Sequence, residues 1–160
     1  MEYSLFMIKP CAYAHKDEIL NIINGHVNIL YTRDVVLNEK FLNRLYEAES
    51  DIDFKNINTS QLKDKRVCIG IVSGKNAIQD LIRICGDNPK GTMCDEHSIR
   101  YRFNPSEDVM YFGNRAFFVN AIHKSDSNEA IDNVTLFITE FLRDEVAKCN
   151  LPLEEKLLDE

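Results

Sequence analysis

Tyr3–Lys9 is largely apolar and reads as a first strand, whose successive side chains point to opposite faces. On a strand, Leu5, Met7 and Lys9 share one face, and Phe6 and Ile8 the other. Pro10 lacks a ladder donor and holds Lys9 extended, so the strand ends there. The spacing turns helical over Lys16–Asn24, through Ile19, Leu20 and Ile23, with Gly25 as a stop. Val27–Leu37 predicts a long strand. Asn38 then suits the N-cap of a helix whose apolar face is Phe41, Leu42 and Leu45, closed by a half-buried Tyr46. Glu47–Lys65 has the weakest pattern and predicts only a short helix around Ser60–Lys63. Val67–Val72 is apolar on both faces and reads as a central strand. Ala77, Leu81 and Cys85 form a helical stripe, opposite Asn76, Gln79, Asp80 and Arg83. Asp87–Phe112 is a long irregular connection containing Pro89, Gly91 and Pro105, and it carries Arg100 and Arg102. Ala116–His123 predicts the last strand. Ile131, Val134, Ile138 and Phe141 mark one side of the last helix, with Asp126 and Glu129 at capping-box positions.

This order predicts an α+β fold: a ferredoxin-like βαββαβ antiparallel sheet with helices on one face plus extra helices. Residues 1–142 would form the domain. Residues 143–160 would form a tail packed on the surface or on a neighbouring subunit. The topology hosts many activities, so function must come from the site.

With 160 residues, 44% apolar and 28% charged, the composition is that of a globular chain able to build one core. The net charge of −7 disfavours non-specific nucleic-acid binding as the main activity. A local basic pocket can still hold an anion on an acidic protein. The five cysteines have no regular spacing, and the apolar start Leu5–Ile8 is too short for a signal or a membrane span. The expectation is free thiols, a cytoplasmic location and no membrane partner.

The chemistry concentrates in Asn120–Ser127, read as Asn-Ala-Ile-His-Lys-Ser-Asp-Ser. A strand there delivers His123 to the mouth of a helix, a place suited to phosphate. Imidazole is neutral near pH 7, nucleophilic, and a workable leaving group. Lys9, at the end of the first strand, is a second candidate, able to present a cation to phosphate or a hydroxyl. Cys94 and His97 have zinc-like spacing but no second ligand pair.

Together, Ile8-Lys9-Pro10 and Asn120-Ala-Ile-His-Lys-Ser-Asp-Ser resemble the nucleoside diphosphate kinase family, whose signature is Asn-x-x-His-Gly-Ser-Asp. The resemblance spans roughly residues 3–141. It implies a ping-pong transfer. His123 would take the γ-phosphate of a nucleoside triphosphate as phosphohistidine and pass it to a nucleoside diphosphate. ATP, GTP, ADP and GDP are the implied partners, and Mg2+ is carried with the phosphates. By the same resemblance, Lys9 touches the sugar hydroxyl and the phosphate end, and Asn120 bonds the sugar. Tyr46 lies near the phosphates and the histidine, and Phe54 stacks on the base. Arg83 and Arg100 hold the phosphates, with Asn88 the nearest substitute for a loop threonine. The family is usually hexameric, sometimes tetrameric or dimeric, so a homo-oligomer is implied, most readily a hexamer.

Several positions depart from the pattern. Lys124 replaces the glycine, and Arg83 lies three residues before Gly86 where the family has four. Gly91-Thr92-Met93-Cys94-Asp95 mimics the second arginine motif with Cys94 in the arginine place; Arg100 is preferred because a thiol cannot supply the charge. The glutamate that orients the histidine falls on Asn133 or Val134. The family's Pro-Phe-Phe-Pro-Gly-Leu segment is replaced by Ile52–Ile57, and the loop from Arg100 to His123 is longer than usual. These departures leave a second reading open, a weakly active or inactive nucleotide-binding or scaffold member. An RNA-binding domain of similar topology is disfavoured by the charge and by the lack of an aromatic RNA-binding strand motif. Asn120 and His123 are three apart, so a straight strand would send them to opposite faces. If both reach one nucleotide, the chain must bend between them.

Overall fold

The computed structural model describes residues 1–105 and 109–142. The chain runs β1 (Glu2–Ile8), a 3-10 turn (Pro10–His15), α1 (Lys16–Asn24), β2 (Asn28–Val36), α2 (Glu39–Leu45), α3 (Ile52–Leu62) and β3 (Arg66–Gly74). It continues through α4 (Ala77–Cys85), α5 (Ile99–Phe103), β4 (Val109–Phe112), β5 (Arg115–Phe118), β6 (Ile122–Lys124) and α6 (Ala130–Phe137). The main sheet has the order β2-β3-β1-β6, with all its pairs antiparallel. This is the α+β, ferredoxin-like arrangement the sequence predicts. The tail expected from residue 143 onward lies outside the described residues.

Strand alternation builds two cores. On one face, Leu5, Met7, Ile69 and Ile71 pack with Phe41, Leu42 and Leu45 of α2 and Val134 and Phe137 of α6. On the other, Phe6, Ile8, Cys68 and Val72 pack with Ile19 and Ile23 of α1 and Leu81, Ile84 and Cys85 of α4. The helices of the βαββαβ unit, α1 and α4, therefore cover one face, and the extra helices α2 and α6 cover the other. Each such side chain, fully buried, contributes roughly 1.5–3 kcal/mol. Gly70 is opposite Phe6 in the register, and a Cβ there would meet the Phe6 ring at 2.2 Å. The central strand therefore needs glycine at that point.

Several local expectations change. The weakly patterned stretch after Tyr46 is a full helix, α3, opened by Asp51, whose side chain accepts from the Phe54 N–H. Tyr46 is buried rather than half-buried. The predicted last strand is broken. Arg115–Phe118 pairs with β4 in a separate hairpin, and Ile122–Lys124 pairs with β1. In the last helix Ile131 faces out, and Asn133, Val134, Leu136 and Phe137 face in.

Candidate active site

The break in the last strand shapes the site. Asn104 clips it: its Oδ1 accepts from the Ala121 N–H at 2.7 Å, and its Nδ2 donates to Asn120 Oδ1 at 3.2 Å. The Cys11 thiol donates to the Asn120 carbonyl at 3.3 Å. The bend required between Asn120 and His123 is thus held from two sides.

A cleft of about 290 Å³ opens there, and its lining includes Lys9, Tyr46, Phe54, Arg100, Asn120 and His123. Six of the eight predicted site residues therefore meet. Lys9 follows β1 in extended conformation, and its backbone N–H donates to the Ala121 carbonyl at 2.9 Å. Its Nζ donates to Asn58 Oδ1 at 3.4 Å, and Asn58 is fixed by donating to the Phe54 carbonyl. Arg100 lies on α5, capped by Ser98, whose Oγ accepts from the Tyr101 N–H. Its Nε and Nη2 donate to the Ile122 carbonyl at 3.3 and 3.2 Å, which sets the guanidinium beside His123. Close packing of the preceding loop makes this possible: a Cβ on Gly91 would meet the Arg100 carbonyl at 2.4 Å. Cys94 is buried, with its thiol directed to the Asn88 carbonyl, and it does not line the cleft.

Arg83 and Asn88 are not brought to the cleft. Arg83 faces solvent because Ala77, Leu81, Ile84 and Cys85 take the buried side of α4, and its Nη2 lies 3.5 Å from Asp80. Asn88 lines a neighbouring groove of about 260 Å³ with Phe117 and Phe118 of β5. Phe54 stands between cleft and groove, its ring centroid 6.3 Å from that of Phe117. The hairpin carrying Phe117 is tied to the start of α3 by Arg115, whose Nη1 is 3.0 Å from Asp51 Oδ1.

The His123 ring meets Tyr46 edge-on. Its Nε2 is buried and has no hydrogen-bond partner among the described residues. Neither candidate for the orienting position touches the ring. Asn133 donates to Ser125 Oγ at 2.8 Å, and Val134 is part of the core. Burial, followed by the charges of Lys9, Arg100 and Lys124, holds the His123 imidazolium well below its ordinary pKa, so the ring is neutral. Burial and then Arg100 lower Lys9 to about 8. Burial raises the Glu129 carboxyl. Glu129 Oε1 accepts from the Asp126 N–H at 3.1 Å, one half of the predicted capping box. The Asp126 carboxylate is turned instead to Lys124, at 2.8 Å.

Sequence reading missed Asn58 and Asn104 entirely, since neither stands in a motif. Lys124 was visible as a departure from the signature, without a position in space. Among the described residues no three His, Cys, Asp or Glu side chains converge as a metal cage. No helix among them is long and apolar enough to cross a membrane.

A split βαβ sheet with a neutral histidine among three cations and four carboxylates in one cleft defines the class: an α+β protein with a histidine-centred polar cleft. The chain belongs to the nucleoside diphosphate kinase family: the family model matches residues 2–141. Among solved structures, it is similar to the nucleoside diphosphate kinase of Aquifex aeolicus, with 20% identity, TM-score 0.71, and 85% and 94% of the two chains covered. A nucleoside diphosphate kinase family protein from Babesia bovis gives 18% identity, TM-score 0.72, and coverage of 87% and 89%. The enzyme of Borrelia burgdorferi, solved as a transition-state mimic with vanadate and ADP, gives 14% identity, TM-score 0.67, and coverage of 85% and 86%. A search of curated protein sequences found no match.

Proposed function

We propose that the chain is a nucleoside diphosphate kinase working through phosphohistidine at His123. The observation that carries this reading is the convergence of a neutral His123 with Lys9, Arg100 and Lys124 in one cleft. The Nδ1 lone pair attacks the γ-phosphorus of a nucleoside triphosphate. The bond from that phosphorus to the β-γ bridging oxygen breaks, and the diphosphate leaves with the electron pair. An oxygen of a second nucleotide's β-phosphate then attacks the phosphorus, and the P–N bond returns its electrons to Nδ1. The transfer needs alignment and charge neutralisation rather than covalent help from many groups. Lys9 and Arg100 neutralise the phosphates, Asn120 holds the sugar, and Phe54 stacks on the base. The Tyr46 ring positions the imidazole.

Magnesium, when bound to the phosphates, supplies further neutralisation of their charge. The carboxylates of Asp87 and Glu129 line the same cleft and are suitable oxygen donors for it. The fit is to a metal carried by the nucleotide rather than to a protein cage. By family likeness the protein works in the cytoplasm as a homo-oligomer, a hexamer in the first instance, with Arg83 and Asn88 outside the immediate phosphate site.

The test is transfer from ATP to a diphosphate acceptor at varied concentrations of both. Parallel double-reciprocal lines are expected for ping-pong exchange. A second reading, a weak or inactive nucleotide-binding member, is favoured by the unpartnered Nε2 of His123. It predicts that ADP binds but no phosphate reaches the acceptor.

A further inference from the structure

Lys124 follows His123 in β6, so alternation sends the two side chains to opposite faces of the sheet. His123 is opposite Met7, on the face covered by α2 and α6. Lys124 is opposite Phe6, on the face covered by α1 and α4. Yet Lys124 lines the same cleft as His123, and its Nζ lies 2.8 Å from the Asp126 carboxylate. β6 is the edge strand of the main sheet, so a long stem can pass over its free side. Lysine has that reach; a small residue at this position has none.

We propose that Lys124 is a phosphate-binding residue, which reaches the terminal phosphates of the nucleotide and leaves Asp126 as it does so. The inference rests on the reading of the cleft as a nucleotide site. Three side chains supply positive charge to the lining, Lys9, Arg100 and Lys124, against four carboxylates, Glu49, Asp87, Asp126 and Glu129. A polyphosphate entering such a cleft depends on every cation in it. Lys9 and Arg100 are fixed at the floor, by Asn58 and the Ile122 carbonyl. Arg83 remains on the far side of α4 with Asp80. Lys124 is the cation whose partner can be released. Its side chain is 11% exposed, whereas Asp126 is 59% exposed and regains water when the pair opens. A phosphate oxygen of higher charge replaces one carboxylate, and the charge-assisted bond is kept.

The experiment is calorimetric titration of ADP in magnesium-free buffer into the wild type and the variants Lys124→Ala, Lys124→Arg and Asp126→Asn. Circular dichroism verifies that each is folded. Lys124→Ala is expected to weaken ADP binding by at least about tenfold, the worth of one charge-assisted bond. Lys124→Arg restores most of the loss. Asp126→Asn binds ADP as tightly as the wild type or tighter, because Lys124 is freed. Wild-type affinity in Lys124→Ala overturns the inference. So does a loss in Asp126→Asn as large as that in Lys124→Ala, which marks the pair as structural. Either result leaves the phosphohistidine reading standing, because that is decided by label on His123. A wild type that binds no ADP removes the nucleotide site and this inference with it.

Discussion

The rings of Tyr46 and His123 meet edge to face, with centroids 5.7 Å apart and planes at 76°. Tyr46 Oη and His123 Nε2 are both buried, and neither has a hydrogen-bond partner among the described residues. Packing against Tyr46, and no side-chain hydrogen bond to Nε2 from the described residues, therefore holds the His123 ring. An unpartnered buried hydroxyl is costly, so Tyr46→Phe is expected to raise stability by about 1 kcal/mol in urea denaturation. Tyr46→Ala removes the ring itself and is expected to cost about 3–5 kcal/mol.

The pH dependence follows from Lys9 and His123. His123 is neutral well below its ordinary 6.5, so kcat/KM should show no imidazole limb near that value. Lys9 loses its proton at about 8 in the free protein, so kcat/KM should fall as pH rises through that value. Bound phosphate favours the charged amine, which moves the corresponding limb in kcat to higher pH. Stability responds in the opposite sense at the alkaline end. Between about 8 and 10.5 the unfolded chain holds the Lys9 proton and the folded chain does not, so this group's contribution to stability rises with pH. Below 6.5 the unfolded chain protonates His123 while the folded chain resists, so stability is lost on acidification. Rate profiles and denaturation midpoints across pH measure both.

Asn104 is the clip at the strand break, bonded to Ala121 and Asn120. Asn104→Ala leaves the Ala121 N–H without its acceptor and is expected to cost roughly 1–3 kcal/mol. It should also weaken ADP binding, because Asn120 and His123 lose their relative placement. Denaturation and calorimetry on one variant measure the two effects separately.

Asp51 joins the cap of α3 to the hairpin through Arg115, and its carboxyl is held down to about 2, first by the Arg115 bond and then by the Phe54 N–H. Asp51→Asn keeps the cap and should change stability little. Asp51→Ala loses cap and pair together and should lower the denaturation midpoint further than loss of the pair alone. Both are measured in the same denaturation assay, with Arg115→Ala as the control for the pair alone.

Much of this arrangement was legible in the chain. The apolar run of β1, the stop at Pro10, the Asn38 cap with its 2.8 Å bond from the Phe41 N–H, and the stripe of α4 are local signals, and they formed as predicted. The motif residues Lys9, Asn120 and His123, far apart in sequence, line one cleft. What was not legible depends on distance in sequence. α3 lacks a regular apolar stripe: Ile57 and Leu62 are buried, but Ile52 is exposed. Arg83 shares the motif's neighbourhood, yet the packing of α4 sends it outward. Asn58 and Asn104 act through partners 49 and 17 residues away. No pattern within one segment carries such pairings.

The proposed activity turns on a phosphoryl group at His123. Incubation of the wild type with γ-labelled ATP and magnesium should give a phosphoprotein that is labile in acid and stable in base, with the label absent from His123→Ala. ADP should discharge it as ATP. A folded, nucleotide-binding wild type that takes up no label, or a His123→Ala variant labelled as well as the wild type, would contradict the account.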